Sequence, residues 1–83
     1  MATYILLLTL TPEGRESALA DPGTLLRKEQ EVAVEGVTCM GIYGVIGQYD
    51  FVTWVEARDN ETAAQFSLEF GVRVGAHVTT LPA

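Results

Sequence analysis

Residues 37–57 read VTCMGIYGVIGQYDFVTWVEA. Two apolar, β-rich runs, 37–46 and 49–57, flank Gly47-Gln48. A two-residue connection that begins with glycine is the signature of a type II′ β-hairpin. Working outward, residues 3–10 (TYILLLTL) form an earlier strand, and 74–81 (VGAHVTTL) close with a fourth. Between the first strand and the hairpin, Thr11-Pro12-Glu13 sets a capping hydroxyl, a proline at the first helical position and an acid in the first turn. Asp21-Pro22 repeats the signal. A short helix to about Ala20 and a longer one through Glu35 are therefore predicted. The longer one carries Leu25, Leu26, Val32 and Ala33 as its apolar stripe, Arg27, Lys28, Gln30 and Glu31 outside, and Gly36 as its stop. After the hairpin, Asp59-Asn60-Glu61 opens a helix with Ala63, Phe66 and Phe70 on one face and Gly71 as its stop. The order β-α-β-β-α-β predicts a ferredoxin-like α+β fold, a four-stranded antiparallel sheet with both helices on one face.

Counting outward from Gly47-Gln48 pairs Ile46 with Tyr49, Val45 with Asp50, Tyr43 with Val52, Gly41 with Trp54 and Cys39 with Glu56. Opposed residues share a face of the sheet. One face then holds Met40, Ile42, Ile46, Tyr49, Phe51, Thr53 and Val55, a core suited to the helices. The other holds Cys39, Tyr43, Val45, Asp50, Val52, Trp54 and Glu56. Strand four sorts Val74, Ala76 and Val78 toward the helices, and His77, Thr79 and Leu81 toward the open side. Tyr4, Leu6, Leu8 and Leu10 are assigned to the core, Ile5 and Leu7 to the open face. A one-residue slip would invert the assignment. Ile5, Leu7, Tyr43, Val45, Val52 and Trp54 together form an apolar field on the order of 600 Å², at the upper end of what monomers expose. A sheet facing water alternates apolar with polar. This pattern predicts a homodimer, or a larger even assembly, closed open face to open face about a two-fold axis.

The chain has 83 residues with a formal net charge of −6, and is read as one domain, 1–83. Apolar residues make up 48 % and charged ones 19 %, against ~25 % charged in typical domains, which excludes a disordered chain. Five scattered Lys and Arg make no basic stripe, so no nucleic-acid partner is expected. The lone Cys39 cannot form an intramolecular disulfide framework and suits a reducing, cytoplasmic setting. The run Tyr4–Leu10 lacks the flanks of a secretory signal and is far short of the ~20 residues a membrane-spanning helix needs.

Gly47-Gln48-Tyr49-Asp50, the strand ending in Val55-Glu56-Ala57, and the following Asp59-Asn60-Glu61-Thr62-Ala63 resemble the GYD-domain family, named for its Gly-x-Tyr-Asp turn. The resemblance runs from the opening TYILLLTLTPEG to Thr79-Thr80-Leu81-Pro82 and departs from the family pattern at Gly71-Val72-Arg73-Val74-Gly75. It implies a dimeric α+β barrel and says little about activity.

Several residues are candidates for chemistry. Asp50 and His77 are expected on the open face, on strands separated by strand one and so ~10 Å apart. A His beside a carboxylate is equipment for general acid–base work, the plainer alternative being that Asp50 holds the hairpin backbone. Tyr43 and Trp54, with Gly41 leaving space opposite the indole, suit either a planar ligand or interface packing. Glu56 near a strand end reads as a solvated carboxylate. Cys39 has no adjacent base and reads as structural. One His among dispersed acids offers no metal set, the glycines match no phosphate loop, and no cofactor is expected. Three functions follow: a small-molecule-binding or regulatory module, preferred; a cofactor-independent enzyme using Asp50 and His77; or a purely structural oligomer.

Overall fold

The computed structural model describes residues 1–21, 23–32 and 34–83. It contains β1 (Ala2–Leu10), α1 (Pro12–Ala20), α2 (Thr24–Glu31), β2 (Val37–Gly44), β3 (Phe51–Ala57), α3 (Asn60–Val74) and β4 (Ala76–Pro82). The strands form one antiparallel sheet in the order β2-β3-β1-β4. This is the expected ferredoxin-like α+β architecture, with the first helical segment divided into α1 and α2.

The local signals act as their chemistry requires. Thr11 is the N-cap of α1, its hydroxyl accepting from the Gly14 N–H, with Pro12 following. Asp59 caps α3 by accepting from Thr62 N–H at 2.8 Å and from the Thr62 hydroxyl at 2.6 Å. Those bonds hold the Asp59 carboxyl below its ordinary pKa. Along β1 burial alternates strictly, Tyr4, Leu6, Leu8 and Leu10 facing the helices as assigned. With Val55, Ala57, Ala63, Phe66, Phe70 and Val74 they form the core, and the Phe66 and Phe70 rings lie 5.7 Å apart.

Four expectations are corrected. α2 ends at Glu31 rather than Glu35. Val32 is already extended, and the chain there turns Val32 into the core, with Val34 packed against it, instead of continuing an exposed helix. Of the predicted stripe, Leu25 and Val32 are buried and Leu26 is 47 % exposed, while Ala33, like the Pro22 of the restart signal, lies outside the described residues. Gly36, at φ +88°, serves the turn into β2 instead of stopping the helix.

Second, α3 runs through Gly71 to Val74 and stops at Gly75, which takes the left-handed conformation at φ +72°. Gly71 is glycine for closeness: a Cβ there would lie 2.9 Å from the Ala76 carbonyl. The fourth strand accordingly begins at Ala76, and Val74 belongs to the helix. Third, the two-residue turn opens into a loop over residues 45–50, closed by Val45 N–H donating to the Asp50 carbonyl at 3.0 Å. Ile46 at its tip is fully exposed instead of core-facing.

Fourth, the predicted pairings Tyr43↔Val52 and Gly41↔Trp54 are present, but a bulge at Met40 shifts the register so that Cys39 opposes Val55 and Thr38 opposes Glu56. One extra residue reverses the parity of everything before it. Cys39 therefore belongs to the helix side, and Thr38 takes its place on the open face.

Candidate functional site

The registers order the open face into rows across β2, β3, β1 and β4. One row is Gly41, Trp54, Ile5, Leu81; the next is Tyr43, Val52, Leu7, Thr79. Polar rows flank these: Thr38, Glu56 and Thr3 at one end, and Thr9 and His77 at the other. An apolar centre with a polar margin is the anatomy of an interface patch. Ile5, Leu7, Val52 and Trp54 are half-buried against one another, while Tyr43 and Leu81 keep 58 % and 43 % of their surface exposed. Mutual shading on the pleated sheet makes the bare apolar area smaller than a residue-by-residue estimate.

Gly41 organises the aromatic end. A Cβ there would lie 3.2 Å from Trp54 Nε1 and 3.3 Å from the Tyr43 hydroxyl, so both rings fold over the glycine. The space expected beside Trp54 is filled by the two aromatics themselves.

The structure brings Tyr43, Trp54 and His77 to the same face through the strand registers, while Asp50 stands in the loop just before β3. Asp50 is held by the backbone: its N–H donates to the Leu8 carbonyl at 2.8 Å, and its Oδ2 accepts from Leu10 N–H at 2.9 Å. Arg15 Nη2, from α1, stands 3.8 Å from the same oxygen. The carboxylate thus acts as a ladder acceptor where β3 has run out, tying the end of β1 to the loop. Thr9 opposes His77 at this end of the open face, on the same parity as Ile5 and Leu7. His77 is exposed and also borders an open groove with Thr11, Leu68, Gly71 and Val72.

Cys39 has one side open to solvent, yet burial pushes its thiol up to about 12, with the Glu29 carboxyl adding to the shift. That is the opposite of an activated nucleophile. Among the described residues no three His, Cys, Asp or Glu side chains cluster as a metal set, and no helix is long and apolar enough to cross a membrane.

Comparison with known proteins adds four findings. The model of the GYD domain matches residues 4–83. The chain is 38 % identical over 84 residues to a Thermus thermophilus protein named glutamine synthetase and cystathionine beta-lyase binding protein, covering all of this chain and 88 % of that one. By structure it is similar to the leucine response regulatory protein of Mycobacterium tuberculosis, with a TM-score of 0.72 at 10 % identity, over 99 % of this chain and 49 % of that one. The chain thus spans about half the length of that regulator. It also resembles the C-terminal domain of the MgtC protein from the same organism, at a TM-score of 0.61 and 12 % identity, over 100 % of this chain and 88 % of that one. At these identities the two structural likenesses speak for the fold.

Proposed function

The chain belongs to the GYD-domain family, and on that footing we propose that it is a non-catalytic, regulatory binding module. It works as a homodimer, or a larger even assembly, closed through the open sheet face. Its partner is an enzyme of metabolism. The observation that carries this reading is the pair of apolar rows, Trp54-Ile5-Leu81 and Tyr43-Val52-Leu7, framed by polar rows on both sides. A two-fold axis sets the apolar rows of a second copy against these, and burying apolar surface at ~25 cal/mol per Å² supplies the drive. The name of the Thermus thermophilus relative supports a protein partner, and makes glutamine synthetase and cystathionine beta-lyase the first enzymes to test.

A finer reading places a small molecule between two such faces, held by Tyr43, Asp50, Trp54 and His77. The engagement of Asp50 with Leu10 N–H favours holding over proton transfer, because the carboxylate already serves the backbone.

Native mass spectrometry of gently purified protein tests the assembly. An even multimer is expected, and Trp54→Glu, which sets a charge in the middle of the apolar rows, converts it to monomer. A wild-type monomer, or a Trp54→Glu protein that keeps its multimer, refutes the closed face. A reproducible extra mass on the dimer supports the ligand reading. Titration with either enzyme tests the partner separately, and absence of binding to both removes that part alone.

A further inference from the structure

The side chain of Glu29, in the last turns of α2, lies inside the protein: the residue is 3 % exposed. Its Oε2 is 2.6 Å from the hydroxyl oxygen of Thr53, which is wholly buried. The same hydroxyl oxygen is 2.7 Å from the carbonyl oxygen of Gly41. A threonine hydroxyl carries one proton and cannot donate to a carboxylate and a carbonyl together. Both short contacts are hydrogen bonds only if Glu29 is the acid. Its O–H then donates to Thr53 Oγ1, and Thr53 donates to Gly41.

The surroundings agree. The helix-side core is apolar apart from the Tyr4 phenol, which bonds Asn60, and among the described residues Glu29 is the one buried side chain that can carry a full charge beside it. On β2 the titratable neighbour is Cys39, which feels the Glu29 charge as repulsion. No described ion pair involves Glu29. Burial raises the Glu29 pKa from the ordinary glutamate range, with the Thr53 contact opposing.

The far end of this chain of contacts gives it consequence. Gly41 directly follows the Met40 bulge, where β2 departs from regular pairing, and its α-carbon lies beneath Trp54 and Tyr43. The contacts therefore cross the sheet, from the helix-side core to the aromatic end of the open face.

We propose that Glu29 is held in the fold as the neutral acid and that its proton latches the Met40 bulge. Loss of the proton turns the Thr53 hydroxyl toward the carboxylate, takes the donor away from the Gly41 carbonyl, and loosens β2 beneath Tyr43 and Trp54. The sign follows from linkage: a proton bound more tightly in the folded chain contributes fully at low pH, and the contribution is lost as pH rises through the folded-state pKa. The open face is thus tight in acid and looser above that pKa. The latch lies within one chain and stands whether or not the face pairs with a second copy.

Trp54 is the only tryptophan, so its emission reads the bulge directly. The test is a pH titration of carboxyl-labelled glutamate by NMR, with Trp54 emission followed in parallel at two protein concentrations tenfold apart. The expected result is a Glu29 resonance that titrates above the other glutamates, with an emission shift at the same midpoint at both concentrations. In Glu29→Gln the amide donates to Thr53 as the acid does, so the emission stays at its low-pH value throughout. The proposal is overturned if Glu29 titrates with the surface glutamates, a result that needs no variant. It is equally overturned if the shift persists in Glu29→Gln, or if its midpoint moves with concentration and so reports assembly.

Discussion

Replacing Asp50 with alanine separates a carboxylate that holds the fold from one that serves chemistry. In the structure its Oδ2 takes the Leu10 N–H at 2.9 Å, and the Leu10 residue is only 6 % exposed. Removing the acceptor leaves a largely buried backbone donor without a partner. A hydrogen bond to a charged group contributes about 1.5–3 kcal/mol, and an orphaned buried donor costs about 1–3 kcal/mol, two descriptions of the same loss. The Arg15 contact at 3.8 Å adds little, because that side chain is 63 % exposed and such pairs contribute about 0–1 kcal/mol. Asp50→Ala is therefore expected to destabilise by about 2–3 kcal/mol. At about 4–8 °C per kcal/mol for a domain of this size, that lowers Tm by about 10–20 °C. Asp50→Asn keeps an oxygen that can accept from Leu10 and loses only the charge assistance, about 1 kcal/mol. Urea and thermal unfolding followed by far-UV circular dichroism measure both. An Asp50→Ala protein as stable as wild type, or Asp50→Asn as damaging as Asp50→Ala, refutes the ladder-acceptor role. A stable Asp50→Asn protein that loses a ligand or a reaction would locate a second duty for the charge.

Other outcomes follow from close approaches and from burial. Gly14→Ala tests opposing effects, since a helix favours alanine over glycine by about 1 kcal/mol. Here, however, a Cβ would stand 2.2 Å from the Gly75 carbonyl oxygen, forcing α1 off the end of α3 and straining the 2.8 Å bond from Thr11 N–H to that oxygen. Overpacking costs about 1–3 kcal/mol and the strained bond about 1 kcal/mol more, so unfolding should show a net loss of about 1–3 kcal/mol, and a gain would mean that α1 is free to move. For Cys39, the rise from 9.0 to about 12 cuts the thiolate at pH 8 about a thousandfold. The higher basicity returns part of that through nucleophilicity, so a small disulfide reagent should react about 30–60-fold more slowly than with a free thiol of the unshifted pKa. Reaction at the free-thiol rate would place the sulfur in water.

The caps, the strand periods and the open face were all legible, because each is encoded within a few residues. Thr11 and Asp59 reach donors three positions ahead, and the period of two along β1 follows from the pleat alone. Of the candidate residues, Tyr43, Trp54 and His77 share a face because their strands share a register above the bulge, whereas Asp50 lies in the loop before β3. What Asp50 does there was open, since its Leu10 partner is 40 residues away.

Sequence by itself thus determined the element types, the antiparallel order and an apolar face left uncovered by the helices, all consequences of local conformational preference and hydrophobic period. Only the tertiary structure decided the Met40 bulge that carries Cys39 to the helix side, the passage of α3 through Gly71, and the enclosure of Glu29 beside Thr53. Each of these depends on how closely distant segments approach. A glycine reads as a stop until a carbonyl is found 2.9 Å from its missing Cβ, and a glutamate on a helix reads as solvated until the sheet closes over it.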